Sequence, residues 1–555
     1  MFLRKHVVSR GDRSYVSYRL CRTVREGDAV RQEIVANLGK LSEAEAARIG
    51  AQLLQIAGKA PPPALEEARQ GHACLYGGPL LVQALMERAE LPALLASLGQ
   101  TRRRLDLPRT ALVALCAQLL APGSELSVSQ WQSTLLWTQP PYDIPYHHFL
   151  RALDVLADHH QQIEDGLFAR VAHLFNQRVD IVFYDLTSSY FEGRGPADLA
   201  RRGYSRDGRP DCPQVVLGLA VTKDGFPIAY RLHPGNTVDA RTLQQIARDL
   251  GQRFAIDRCL IVSDSGLLSK QNAAALDELG LGYLMGMRAA STQAARDAIT
   301  ATAGASPAGQ LGDVSYWPTQ LKGDRAYIVL HSPGRHAKTL AIAERKLATV
   351  RPQLQQLQRD VAAGKVRSSR TIAERATRVL VAAKATPWVR WELDDDGFHW
   401  QEDRERLARV REEGGKYVLQ TNLTTLRAQE AAVAYRQLEA VEDCFRLLKD
   451  TLRLRPIYHR SPHRVMGHVG LCVIALFLLR LLEQRLLSAG IATPAAEALA
   501  AVSELQAVPV TVGERTVWPT PHITAKAAAI LRAVGITDPK ARFVADLEAC
   551  AHRVP

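Results

Sequence analysis

Between residues 179 and 287 of this 555-residue chain the hydrophobic period changes in a fixed order, and that order limits the fold more than any other feature. Residues 179–184 are a short β-rich run and 215–221 a second, which a Lys223-Asp224-Gly225 turn joins to 226–232 as a hairpin. Helical spacing over 240–250 follows, then the apolar run Cys259-Leu260-Ile261-Val262, a helix from Lys270 onward, and a strand over 282–287. The order β-β-β-α-β-α-β predicts an α/β fold: a mixed sheet with helices packed on it.

The flanks have other textures. Residues 15–24 and 31–38 alternate polar and apolar side chains around Glu26-Gly27-Asp28, which predicts a β-hairpin carrying Arg19, Arg22, Arg25 and Arg31. Ser42 with Glu45 forms a capping box for a helix towards Ile56, and Pro61-Pro62-Pro63 then breaks the chain. Residues 80–172 have helical spacing, punctuated at Pro122-Gly123 and Pro140-Pro141, with a basic cluster at Arg102-Arg103-Arg104. Further on, Leu340, Ala343, Leu347, Val350, Leu354, Leu357 and Val361 make a heptad-like seam that Pro352 is expected to kink or restart. Residues 335–378 hold eleven Lys or Arg against three acids, so this segment is a charge cluster as well as a small core. A returning strand at 417–420, a long helix over 428–452 and a helical C-terminal region complete the chain.

Composition narrows the function. Lys and Arg number 70 against 57 Asp and Glu, a net charge of +13, on an ordinary globular composition with 47% hydrophobic residues. An excess of that size attracts phosphate backbones where it is clustered. The longest uncharged apolar run, 469–479, stops at Arg480 and is too short for a bilayer, and no secretory signal follows Met1, so a soluble, cytoplasmic protein is expected. The eight cysteines show no C-x-x-C spacing and are expected as buried free thiols. G-x-x-x-x-G-K-[ST], G-x-G-x-x-G after a strand, and H-E-x-x-H are all missing, which leaves nucleotide-driven and zincin chemistry without support.

Three acids stand out by position. Asp185 closes the run 179–184, Asp264 closes 259–262, and Glu442 lies in the helix over 428–452. Carboxylates on two strands and a neighbouring helix are hard oxygen ligands of the kind that hold Mg²⁺. Two such ions about 4 Å apart can drive in-line attack on a phosphodiester. Taken singly, an acid at such a position is usually a turn or cap residue. The helix is more specific. With Leu438 at 0°, Tyr435, Glu442, Lys449 and Arg446 fall at about 60°, 40°, 20° and 80°, while Val441, Phe445 and Leu448 fall at about 280° to 340°. A reactive polar stripe thus adjoins a core stripe, where desolvation is costly unless a ligand compensates.

Tyr435-x2-Leu438-x3-Glu442-x6-Lys449 resembles the Y-x2-R-x3-E-x6-K signature of bacterial insertion-sequence DDE transposases, and it follows Phe183-Tyr184-Asp185-Leu186-Thr187 and Val262-Ser263-Asp264-Ser265 in family order. Gly203-Tyr204-Ser205-Arg206-Asp207-Gly208 and His233-Pro234-Gly235-Asn236-Thr237 resemble the family's stretch between its two aspartates, and the likeness covers about residues 179–482. The resemblance implies a ribonuclease-H-like mixed sheet with flanking helices, interrupted by an insertion domain. It also implies Asp185, Asp264 and Glu442 as the metal-binding catalytic triad, with Mg²⁺ as cofactor and Mn²⁺ able to substitute. An insertion is independently required, because 178 positions lie from Asp264 to Glu442 while ordinary connections run about 4 to 6 residues. The signature arginine is Leu438 here; the resemblance leaves Lys449 with its phosphate-contacting role and Tyr435 beside it among the DNA-binding residues, and either Arg446 replaces the missing cation or the activity is reduced.

The resulting division is a DNA-binding hairpin and helix (1–60), a helical module (64–175), the first part of the core (176–288), an insertion (289–416), the second part of the core (417–482) and a helical tail (483–555). Residues 451–470 hold Arg453, Arg455, Arg460 and Arg464 without an acid, and Arg194, Arg201, Arg202, Arg206 and Arg209 form a Gly-rich basic loop. Beside the carboxylates, these cations are expected to bind phosphate. The expected activity is cleavage of transposon ends and joining of their 3′-hydroxyls to target DNA. The expected partner is double-stranded DNA, both terminal inverted repeats and target, bound by a homodimer in the cytoplasm on the nucleoid, with no membrane and no nucleotide cofactor. A transposase-derived DNA-binding protein and a structure-specific nuclease are the rival readings.

Overall fold

The computed structural model describes residues 1–10, 13–26, 29–57, 68–98, 105–136, 143–175, 179–238, 242–253, 260–287, 292–512 and 515–551. Gly27-Asp28, Pro61-Pro62-Pro63, Arg102-Arg103-Arg104, Pro140-Pro141 and Cys259 lie outside the described residues.

The expected β-β-β-α-β-α-β order is found. Strands Ile181–Tyr190, Gln214–Thr222 and Pro227–Pro234 form an antiparallel meander, and Leu260–Ser263 and then Gly282–Met287 add in parallel on its other side. Every residue of Gln214–Thr222, Leu260–Ser263 and Gly282–Met287 is buried, so these strands read as continuous apolar runs. Alternate side chains enter opposite cores. Phe183, Leu217, Leu219 and Leu284 join the larger core on one face, while Val182, Tyr184, Val216 and Tyr283 join the core under helices Leu243–Gln252 and Lys270–Glu278 on the other.

The insertion is shorter than 289–416. Strands Gly309–Leu311, Val314–Tyr316, Gln320–Lys322 and Arg325–His331 continue the central sheet to ten strands, and Lys416–Thr421 is inserted antiparallel between Arg325–His331 and Gly282–Met287. Three of these added strands have only three residues, too few for a visible period of two. Helices Pro333–Ala362 and Ser369–Ala382, the hairpin Val389–Asp394/Gly397–Glu402 and helix Arg404–Glu413 surround a separate core that contains Leu347, Leu354, Trp388 and Phe398. Trp391 and Trp400 pack on it. Helix Pro333–Ala362 runs unbroken through Pro352, with the heptad-like seam facing this core.

Residues 2–39 form three strands, because Phe2–Arg10 pairs with Arg13–Glu26 beside the expected hairpin to Ala29–Gly39. The capping box is present: the Ser42 backbone N–H donates to Glu45 Oε2 at 2.9 Å, and Ser42 Oγ accepts from the Glu45 N–H at 3.3 Å. The helical module and the C-terminal tail are stitched together. Cys74–Leu75 pairs with Gln506–Ala507 and Ala68–Gln70 with Val510–Val512, and both regions contribute to the larger core. Through that core runs helix Pro462–Ser488, apolar and long enough to cross a membrane, with 83% of its most apolar window buried inside the protein. A Cβ at Gly467 would stand 2.1 Å from the Leu153 carbonyl oxygen, so only glycine allows this helix to cross Tyr146–Asp158 so closely. Cys21, Cys74, Cys116, Cys212, Cys444 and Cys472 are buried free thiols.

Candidate active site

Asp185 lies in the middle of strand Ile181–Tyr190, opposite Leu219, and not at a strand end as expected. The apolar run ends at Tyr184, but the backbone pairing continues through Leu186-Thr187-Ser188-Ser189, all buried. Asp264 is the first residue beyond Leu260–Ser263, and the parallel register that pairs Phe183 with Val262 sets Asp185 beside Asp264 two residues further on. The parallel ladder stops there, leaving the carboxyl end of a sheet strand as a crevice for ligands.

Glu442 reaches the same place from helix Glu439–Arg446, whose buried Val441, Cys444 and Phe445 fix it against strands Ile181–Tyr190 and Gln214–Thr222. The expected single helix over 428–452 is three pieces: Ala428–Arg436, Glu439–Arg446 and a π-turn at Leu447–Thr451. At the first break the ladder changes to i→i+3 bonds from the Leu438, Ala440 and Val441 N–H groups, and Leu438 is buried in the larger core. Tyr435 is buried before that break, and its hydroxyl donates to Asp264 Oδ1 at 3.3 Å, a contact with the site's own acid. Asp264 Oδ1 also accepts from the Ser265 N–H at 2.6 Å. A Cβ at Gly286, on the neighbouring strand, would stand 2.8 Å from the Tyr435 hydroxyl and 3.6 Å from Asp264 Oδ1, so glycine keeps the space beside this carboxylate open.

The electrostatics fit a cation. Burial pushes the Asp185 carboxyl up to about 7; the Leu186 N–H and Arg206 oppose this, and Asp264 and Glu442 add to it. Glu442 is raised by burial, by Asp264 and by its helix neighbours Glu439 and Asp443, against Arg335. Asp264 therefore sits close enough to both for its charge to penalise theirs, and the donor set is oxygen only, of the kind that suits hard divalent cations. Their oxygens do not all close to within 4.8 Å of one another, so the constellation is wider than a cage for one ion.

A family model described as a transposase DDE domain matches residues 180–478, more than half of the chain. The chain belongs to the DDE transposases. A second model, described as the N-terminal domain of IS1634 family transposases, matches residues 3–62 of this insertion-sequence transposase. No curated protein matches its sequence. Among solved structures, the transposase is similar to one described as a Mos1 transposase paired-end complex with left transposon end, at 16% identity over 44% of this chain and 68% of that one, with a TM-score of 0.14.

Several of the transposase's expected DNA-contacting cations hold partners within the chain. Lys449, on the π-turn, donates to Asp207 Oδ1 at 2.7 Å, and Arg455 donates to the same oxygen. Burial draws the Lys449 ammonium below its ordinary range, and Asp207 opposes that. Arg446 pairs with Asp443 on its own helix, and Arg464 pairs with Asp154 at 3.1 Å. Arg453 and Arg460 are exposed. The backbone N–H of Arg206 donates to Ser188 Oγ at 2.9 Å and so ties the basic loop to the Asp185 strand, while Arg209 lies over the Tyr190 ring at 4.9 Å and pairs with Asp211.

Two residues to which the sequence reading gives no role of their own belong to this region. Arg335, in the first turn of the insertion's long helix, lies over the Tyr417 ring at 4.3 Å, and its charge reaches Tyr435 and Glu442. Asp207 holds two cations on one buried oxygen. Arg335 is one of eleven cations in its segment, and Asp207 meets Lys449 across 242 positions, so neither has a local signal.

Proposed function

We propose that Asp185, Asp264 and Glu442 are the catalytic metal ligands with which this transposase cuts the ends of its insertion sequence and joins the freed 3′-hydroxyls to target DNA, with Mg²⁺ as cofactor and Mn²⁺ able to substitute. The reading is carried by one observation: acids from a strand, a strand end and a helix converge, so that the Asp264 and Glu442 charges raise Asp185 and the Asp264 charge raises Glu442. Bound there, the ions would activate the attacking oxygen and stabilise the leaving one.

The chain's own groups do the rest. Tyr435 and the Ser265 N–H fix the orientation of the Asp264 carboxylate, and Arg206 favours the ionised form of Asp185. Lys449, Arg455, Arg453, Arg460 and Arg446 supply positive charge along the DNA path, and the basic three-stranded sheet with its helix engages the terminal inverted repeats. A homodimer brings two ends together, one to each protomer.

The test uses end-containing duplex with Mg²⁺, reading cleavage and strand transfer on gels and binding by mobility shift. Asp185→Ala, Asp264→Ala and Glu442→Ala are each expected to lower cleavage by about 10³-fold or more while binding stays within a few-fold. Near-normal cleavage by any of them removes that residue from the site. Cut but never joined ends would point to a nuclease.

A further inference from the structure

Far from the carboxylate triad in sequence, three side chains from three segments meet. Glu125 is the first residue of helix Glu125–Trp131 in the helical module, His459 lies in the loop that follows the π-turn, and His468 lies two turns into helix Pro462–Ser488. Among the described residues this is the one group of three or more His, Cys, Asp or Glu whose ligand atoms all lie within 4.8 Å of one another. His459 Nε2 stands 3.2 Å from Glu125 Oε1, and the rings of His459 and His468 are 5.3 Å apart.

We propose that Glu125, His459 and His468 form a zinc site that clamps the loop after the catalytic helix to the helical module. Two imidazoles and one carboxylate are a borderline donor set that suits Zn²⁺ and not Mg²⁺. Bond lengths of about 2.0–2.1 Å in tetrahedral geometry put neighbouring ligand atoms about 3.3 Å apart, and the His459–Glu125 separation already has that length. Cys472, one turn beyond His468 on the same helix face, places its Sγ 4.0 Å from His468 Nε2, so a soft donor also lies near the histidine. A plain hydrogen-bonded triad explains the site less well, because His468 Nε2 reaches the Leu454 carbonyl oxygen only at 3.4 Å, long for a bond in a packed interior.

The segment from Leu452 to His459 also carries Arg453 and Arg455, and Ile457 bridges to Phe191 just beyond the Asp185 strand. An ion at this site would set where those cations stand relative to the sheet.

The decisive measurement is the zinc content of the full chain, purified without chelator, by atomic emission, with thermal melting before and after chelation. About one zinc per chain is expected, with a melting temperature that falls on chelation and recovers when Zn²⁺ alone is added back. His459→Ala and His468→Ala should each hold less than about a tenth of that zinc. Glu125→Gln, which keeps side-chain shape, should weaken Zn²⁺ binding about tenfold and serves if a histidine variant does not fold. Asp185→Ala and Glu442→Ala should keep their zinc, which separates this site from the triad. A wild-type chain with neither bound zinc nor a Zn²⁺-dependent melting temperature overturns the proposal, as does zinc retained in both histidine variants.

Discussion

Two groups of ionisable side chains sit two strands apart on one sheet, and their surroundings treat them in opposite ways. On the strand Pro227–Pro234, Arg231 meets Glu164 at 2.6 Å and also Asp249, while Arg253 meets the other oxygen of Glu164 at 2.8 Å and Asp165 at 2.7 Å. Glu164 and Arg231 have side-chain exposures of only 1% and 6%, yet every charge has a partner, and Glu164 also accepts the Tyr230 N–H. Around Asp185 the acids form no ion pair among the described residues, and burial together with the neighbouring carboxylates raises Asp185 and Glu442. Buried charge that is compensated holds helix His160–Phe175 to the sheet; charge left uncompensated is what a cation-binding active site needs.

The largest effect should come from breaking the compensated group. Arg231→Ala removes the guanidinium shared by buried Glu164 and half-buried Asp249 and should cost about 3–5 kcal/mol of stability, read as a fall in denaturation midpoint. Asp185→Asn should instead leave the metal-free protein as stable as wild type or more so, because a penalised charge is removed. Equal losses in the two variants would erase the contrast.

A smaller effect is tied to pH. Asp185 titrates near 7 in the folded chain against an ordinary 3.8, so between these values the folded state holds a proton that the unfolded state has lost. The stability of the metal-free protein should therefore be fully present below about pH 4 and decline as pH rises towards about 7, a decline that Asp185→Asn removes. Metal binding requires the ionised acid, so Mn²⁺ binding at pH 6 should release up to about one proton, measured by calorimetry in buffers of different ionisation enthalpy. No release, or the same release from Asp185→Asn, breaks the assignment.

What was legible in the sequence follows the range of each interaction. Asp185, Asp264 and Glu442 stand beside dense apolar runs and in family order, so their neighbourhood could be read locally. The continuation of the Asp185 strand could not, because Thr187, Ser188 and Ser189 are polar residues buried by tertiary contacts. The break at Gln437-Leu438 has neither Gly nor Pro to announce it; Leu438 turns into the core there, and Tyr435 is buried against Asp264. The strands within 309–322 have three residues each and carry no period, although their pairing through Arg325–His331 extends the central sheet. The Asp207 pairing and the Glu125-His459-His468 group join residues more than 240 positions apart, beyond any local pattern.

The Asp207 pairing sharpens the comparison from the other side. Its carboxylate, with a side-chain exposure of 2%, neutralises Lys449 and Arg455. Asp207→Asn should free those cations, steepen the salt dependence of DNA binding by about one unit, and lower the melting temperature because two half-buried cations lose their partner. An unchanged slope would mean that neither cation meets phosphate.

The smallest effect concerns the two cations nearest the signature departure. Arg446 is one turn past Glu442 but pairs with Asp443, with 68% of its side chain exposed, a surface pair of little energetic weight that DNA phosphate can replace. Arg453, exposed and with a positive φ of 45°, projects from the end of the π-turn. Arg453→Ala should lower the salt slope of end binding by about one unit, and Arg446→Ala by less, since displacing Asp443 offsets part of each new phosphate contact. Leu438→Arg introduces the arginine of the signature that the sequence resembles, yet position 438 is only 7% exposed in the larger core, so the guanidinium must be buried or the turn must open. It should lower the melting temperature without increasing strand transfer. Should Leu438→Arg raise strand transfer strongly while Arg446→Ala leaves it unchanged, the site lacks the signature cation, and Arg446 does not replace it.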